Sequence, residues 1–180
     1  MSSFEQWGSE PTKHPIYDAW LFNQALLTQQ LRDLSQQCFS VQPIVEEWQI
    51  LRDDECQALN LPLGSRGWVR EVYLQGRQQN WVYARSVAAL SQLQALNFDL
   101  ASLGTQSLGE LLFQQHAFVR GPLQAKHYPT HLLPQAIHSE QPSNTYWARR
   151  SCFSHAALTI LVMEVFLPQL WQAVTDNTSM

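Results

Sequence analysis

The chain has 180 residues, of which 45% are hydrophobic and 14% charged, a globular composition that excludes a disordered protein and suffices for one domain with a sizeable core. The formal net charge of −4 offers no basic surplus for nucleic acid, so an anionic ligand has to be held by a few local cations. Cys38, Cys56 and Cys152 form no CxxC and follow no signal-peptide pattern, which points to free thiols in a reducing cytoplasm; the longest apolar run, "ALTILVMEVFL", is broken by Glu164 and is too short to span a membrane.

Residues 1–14 are polar, with Gly8 and Pro11, and read as a flexible arm ahead of a domain covering 15–168. From Ile16 to Gln37 the pattern is helical, with Trp20, Asn23, Leu27, Leu31 and Leu34 near one stripe and Asp18 or a neighbour as a candidate cap; a break near Leu26–Thr28 would give two short helices. "FSVQPIVEEWQIL" has the β-branched content of a strand, and Pro43 places a bulge or an edge there. "RDDECQAL" is a polar turn or short helix. "GWVREVYLQ" and "NWVYARSVA", separated by "GRQQ", form a hairpin signature in which Gly76 is available for a positive φ.

"ALSQLQAL" and "QSLGELLFQQ" are helical, and "AFVRGPLQAKHY" is a strand interrupted at Gly121-Pro122. Residues 127–144 read as a loop rich in His, Pro and Ser. "TYWARRSCFS" and "ALTILVMEVFLP" are two closing strands joined near His155–Ala156, with Pro168 ending the second and a polar, frayed tail over 169–180. Sequential hairpins with helices before and between them predict a single α+β domain, because the alternating crossovers of a parallel sheet are missing.

Two charges sit on apolar strand faces. Arg70 alternates with Trp68, Val72 and Leu74, and Glu164 with Val162 and Phe166. Neither can be buried as an isolated ion without a cost of several kcal/mol. They either pair with each other, or stand apart in a pocket where Arg70 forks onto a ligand carboxylate and Glu164 exchanges a proton at the ligand's other end. Arg85, which by simple alternation shares a face with Trp81, Tyr83 and Val87, is a third candidate, or a strand-end arginine snorkelling to water. Arg149 and Arg150 point to opposite faces, so at most one enters the same site. Ser107 can cap a helix that aims the Leu108 amide at an anion, or simply start a helix with Leu108 and Leu112 in the core. His127, His131 and His138 lack a metal-ligand geometry, Cys152 has no evident histidine partner, and no phosphate loop, GxSxG or HExxH occurs.

Taken in order, "GWVREVYL", "NWVYARSVAALSQL", "SLGELLF", "YWARRSCF" and "LVMEVFLP" resemble the chorismate lyases, the chorismate pyruvate-lyase family of bacterial ubiquinone biosynthesis, over roughly Trp20 to Pro168. The resemblance implies an antiparallel sheet flanked by helices, a ligand cavity under helical flaps, and conversion of chorismate to 4-hydroxybenzoate and pyruvate without metal or organic cofactor. It carries the substrate contacts onto Arg70, the Leu108 backbone amide, Glu164 and, by position alone, Leu27, with Arg85 receiving the enolpyruvyl carboxylate or guiding access. Arg70 and Glu164 carry the catalytic roles. It further implies a cytoplasmic monomer with a small-molecule substrate and no nucleic-acid partner or stable membrane insertion. The alternative is a non-catalytic module that binds an aromatic carboxylate, related to the effector-sensing domains of transcription regulators. Against it stand the absence of a helix-turn-helix pattern and the joint presence of Glu164 and Arg70.

Overall fold

The computed structural model describes residues 6–96, 105–106, 108–114, 118–138 and 145–178. Two short helices, α1 (Pro15–Leu21) and α2 (Leu27–Leu34), precede strand β1 (Phe39–Ile50) and helix α3 (Asp53–Ala58). The hairpin β2 (Arg66–Gly76) and β3 (Gln79–Ala89) leads into α4 (Leu90–Leu96) and α5 (Leu108–Gln114). Then come β4 (Val119–Arg120), β5 (Gln124–Pro129), α6 (Gln135–His138), β6 (Thr145–His155), β7 (Leu158–Phe166) and α7 (Pro168–Thr178). The strands form one antiparallel sheet in the order β1-β2-β3-β7-β6-β4, with β5 also paired to β6. The α+β expectation holds, and the helical break spans residues 22–26, just ahead of the expected place, with Leu27 and Thr28 already in α2.

The sheet is irregular at two places that matter below. In β1 the register shifts between Pro43 and Val45, so Ile44 is an extra residue on this edge strand. In β3 the register shifts by one at Trp81, between the pairs Gln75–Asn80 and Leu74–Val82. The turn residues with positive φ are Arg77 (51°) and Gln78 (64°), not Gly76 as expected. Gly76 is needed for a different reason: a Cβ there would lie 2.2 Å from the ring of Trp81, which packs flush on the glycine backbone.

Several segments are more ordered than their composition suggests. The stretch read as a loop from 127 begins within β5, where His127 stacks on Trp147 at 3.8 Å, and continues through a 3₁₀ turn at Thr130–Leu132 into α6. The tail beyond Pro168 is helix α7, started by that proline, with Leu170 fully buried and Trp171 against Phe166 and Tyr17. Its stripe of Leu170, Trp171 and Val174 is enough to dock one helical face on the core beside α1 and α2. Part of the amino-terminal arm is also fastened: Gly8 exchanges backbone hydrogen bonds with Ala125, and Trp7 lies over the Arg150 guanidinium at 4.5 Å. Asp18 holds this arm by accepting from the Thr12 amide and hydroxyl, and α1 itself has no side-chain cap.

Candidate active site

The pairing registers set side chains in rows across one face of the sheet. Arg70, Ser86, Val162 and Ser151 form one row; Val72, Ala84, Glu164 and Arg149 form the next. The central strand β3 contributes only Ala84 and Ser86 to these rows, so the middle of the face is low and its flanks are high. Val72, Leu74, Val162 and Phe153 wall the resulting cavity, and Leu26, Leu27 and Thr28 at the start of α2, with Leu108 of α5, roof it. The cavity is partly open to solvent. Arg70, Arg120, Arg149 and Glu164 bring the charge into this chamber, whose remaining lining is apolar apart from Thr28 and Ser86.

Arg70 and Glu164 do not pair with each other. Arg70 is buried, donating from Nε to Glu46 Oε1 at 2.8 Å and from Nη2 to the Gln106 carbonyl at 2.9 Å. Glu46 stands opposite Arg70 because of the extra residue in β1; without it, Val45 would occupy that position. Glu164 sits across β3 from Arg70 and two residues along. From ordinary strand spacing and rise, that offset separates their Cα atoms by roughly 12 Å, room for a substituted aromatic ring between the side-chain tips.

Glu164 is held by Arg149, whose Nε donates to Oε2 at 2.6 Å. Arg149 is 1% exposed and donates from Nη1 to the Trp20 carbonyl at 2.8 Å and the Asn23 carbonyl at 3.2 Å. The same guanidinium thus orients the carboxylate and satisfies carbonyls at the end of α1, where a cation is favoured. Arg120, on β4, donates from Nε to Ser151 Oγ at 3.0 Å and from Nη1 to the Gln24 carbonyl at 3.3 Å, with its guanidinium over the Phe153 ring. Burial and the neighbouring Arg149 both disfavour its charge, and Glu164 opposes them. Arginine cannot escape by releasing its proton near neutral pH, so the charge stays in the chamber.

Of the residues singled out from sequence, Arg70, Glu164, Leu27 and Leu108 come together around this cavity. Arg85 does not. It lies on the opposite face of the sheet, opposite Glu71, and is bound by Glu55 through Nε at 2.6 Å and Nη2 at 3.1 Å and by Glu71 through Nη1 at 2.6 Å. The Glu55 and Glu71 carboxylates drive its acidity further down, and the Tyr83 phenol beside Glu71 is raised chiefly by burial. Nor does Arg85 share a face with Trp81, which the bulge turns to the cavity-side core. Arg149 and Arg150 divide between the faces as alternation requires. Arg149 enters the chamber, and Arg150 meets Asp54 and Trp7 on the other side. The proposed cap at Ser107 lies outside the described residues, as does the side chain of His138. No cluster of His, Cys, Asp or Glu suited to a metal occurs among the described residues. Cys152 lies outside this chamber, its thiol pushed up by burial.

The sequence reading assigned no ligand role to Glu46, Arg120 or Arg149. Arg149 was visible as half of an alternating pair. Arg120 carried a weaker signal, a lone cation in the apolar strand "AFVRGP". Nothing local marked Glu46, because its position depends on the bulge.

Fold and site together define an α+β domain of the kind that encloses a small-molecule cavity: an antiparallel sheet whose one face, roofed by helices, forms a chamber lined by three arginines and a glutamate. The same fold occurs in a domain assigned as the ligand-binding part of a GntR-family regulator from Bordetella bronchiseptica, with 10% identity over 72% of this chain and 83% of that one and a TM-score of 0.51. It recurs in a GntR-family regulator from Bacillus cereus, with 8% identity over 73% of this chain and 93% of that one and a TM-score of 0.50. The sequence profile of the chorismate lyase family matches residues 10–176, and the chain belongs to that family. Among its relatives, the probable chorismate pyruvate-lyase of Pseudomonas syringae pv. tomato is 54% identical over 96% of this chain and 90% of its own. The probable chorismate pyruvate-lyase 2 of Pseudomonas fluorescens is 49% identical over 93% and 92%. Among the described residues no helix is long and apolar enough to cross a membrane.

Proposed function

We propose that this protein is a chorismate lyase that releases 4-hydroxybenzoate and pyruvate in the chamber between Arg70 and Glu164. Arg70 and the Leu108 backbone amide bind the ring carboxylate, Leu27 covers the ring, and Glu164 accepts a hydrogen bond from the ring hydroxyl at the far end. The observation that carries this reading is that Arg70 and Glu164 line one cavity while each is held by a partner of its own, Glu46 and Arg149, so both are fixed and aimed without clasping each other.

The chemistry needs little from the protein, because elimination makes the ring aromatic. The C4 hydrogen passes to the enolpyruvyl methylene as the C3–O bond breaks. The ether oxygen becomes the ketone of pyruvate, and the ring electrons close into the benzoate. Every atom is conserved and no cofactor or metal takes part. Fixing the conformer in which C4–H and the methylene meet is the site's main contribution. Glu164, ion-paired to Arg149, serves as a hydrogen-bond acceptor rather than a proton donor. The enzyme works as a cytoplasmic monomer and needs no nucleic-acid partner.

The test is incubation of purified protein with chorismate, following 4-hydroxybenzoate absorbance, alongside calorimetry of 4-hydroxybenzoate on wild type and Arg70→Ala. Turnover is expected, with product affinity reduced roughly 30- to 1,000-fold in the variant, the cost of unpairing a sequestered carboxylate. Product binding without turnover would instead indicate an effector module, and unchanged affinity in Arg70→Ala would overturn the pocket assignment.

A further inference from the structure

The chamber holds three guanidinium groups, and two of them have carboxylate partners. Arg70 is paired with Glu46 and Arg149 with Glu164. Arg120 has no carboxylate within ion-pair distance among the described residues, nor does any described residue accept a hydrogen bond from its Nη2. Its neighbour Arg149 is of like charge, so an anion brought alongside relieves a repulsion as well as filling a donor. Its hydrogen bond to the Gln24 carbonyl is long, at 3.3 Å, and can be exchanged for a carboxylate without breaking the α1–α2 connection, which Arg149 holds separately.

Position decides what the anion is. Arg120 pairs in register with Phe153, on the strand that carries Arg149, and its Nε reaches Ser151 in the row between them. It therefore stands on the Glu164 side of the chamber, across from Arg70. On the proposed reading, Arg70 takes the ring carboxylate and Glu164 the hydroxyl. The ether carbon is adjacent to the carbon bearing that hydroxyl, so the side arm and its carboxylate lie at the same end as Arg120.

We propose that Arg120 receives the enolpyruvyl carboxylate and so distinguishes the dicarboxylate substrate from the monocarboxylate aromatic product. This rests on the lyase reading. Once the C3–O bond breaks, the carboxylate at Arg120 belongs to pyruvate, and the retained aromatic product has no group there. Substrate and product are then held by overlapping but unequal sets of cations, with Arg70 common to both.

The experiment compares wild type with Arg120→Met, which keeps length and apolar contact with Phe153, and with Arg120→Lys, which keeps charge but not the fork. Steady-state kinetics with chorismate and calorimetry with 4-hydroxybenzoate are run on each protein. The expected result for Arg120→Met is kcat/KM lower by roughly 10- to 150-fold, appearing mainly in KM, with product Kd within about twofold of wild type. Arg120→Lys should fall between, and it carries the same comparison if Arg120→Met does not fold. An unchanged kcat/KM in a variant that folds overturns the assignment. So does an equal loss for substrate and product, which would mean that Arg120 supports the roof through Gln24. Failure of wild type to turn over chorismate would instead remove the lyase reading itself.

Discussion

Arg85→Met tests whether the buried arginine of β3 serves the fold or the substrate. Arg85 is 3% exposed, and the Glu55 and Glu71 side chains it joins are 6% and 11% exposed. Removing the guanidinium leaves two carboxylates facing each other with little water, a case in which breaking a buried charged cluster costs about 3–5 kcal/mol. For a chain of this length that corresponds to a fall in Tm of roughly 6–20 °C. Urea unfolding followed by tryptophan fluorescence measures the loss, and kinetics well below the transition should give kcat and KM close to wild type. The triple variant Glu55→Gln, Glu71→Gln, Arg85→Met should recover most of the stability, because the uncompensated charges go with the cation. Glutamine at 55 also keeps an acceptor for the Arg52 amide, which Glu55 Oε2 now receives at 2.9 Å. If Arg85→Met were as stable as wild type and raised KM for chorismate, the guanidinium would be serving the substrate, and the separation of the two sheet faces argued above would be wrong.

Glu164→Gln keeps an oxygen for the Arg149 Nε–H, so the site should stay assembled and kcat should remain within about tenfold of wild type; a loss of about 100-fold or more would show that Glu164 protonates the departing oxygen. Gly76→Ala drives a methyl group into the buried Trp81 ring and should destabilise by about 1–3 kcal/mol in chemical denaturation, with a native-like stability counting against the close packing at the hairpin end. His127→Phe tests a pH effect. Burial lowers the His127 imidazole below its ordinary 6.5, so the unfolded chain takes up the proton first, and its contribution to stability is present above 6.5 and lost as pH falls through 6.5 towards the lowered folded value. Phenylalanine keeps a ring on Trp147 and should flatten the decline in Tm between about pH 7 and 5; an unchanged slope would assign that decline to other groups.

Much of the architecture could be read locally, because hairpin strands, their flanking helices and the alternation of faces are written in short stretches. The helix over 168–178 was hidden by its polar composition: Leu170 alone is fully buried, and its docking surface comes from α1, α2 and the end of β7. Arg70 and Glu164 were legible as charges on apolar faces. Their partners were not, since Glu46 and Arg149 meet them only through strand pairing, a non-local property.

The fate of Arg85 shows how fine that non-local information is. The two-residue turn at Arg77-Gln78 pairs Gly76 with Gln79 and Gln75 with Asn80. Continued without interruption, that register would set Arg70 opposite Arg85, two guanidinium groups side by side on the cavity face. The single extra residue at Trp81 moves every later pair by one, so Arg70 meets Ser86 and Arg85 meets Glu71. The slip removes a like-charge contact, gives Arg85 its counter-ions on the far face, and lays small Ala84 and Ser86 along the chamber floor. Gly76 makes the slip possible, because the displaced indole needs the space a side chain would fill. One bulge in β3 and one in β1 thus assign the charges to their faces, and a chain with the same strands in plain register would have neither the chamber nor the Arg85 ion pairs behind it.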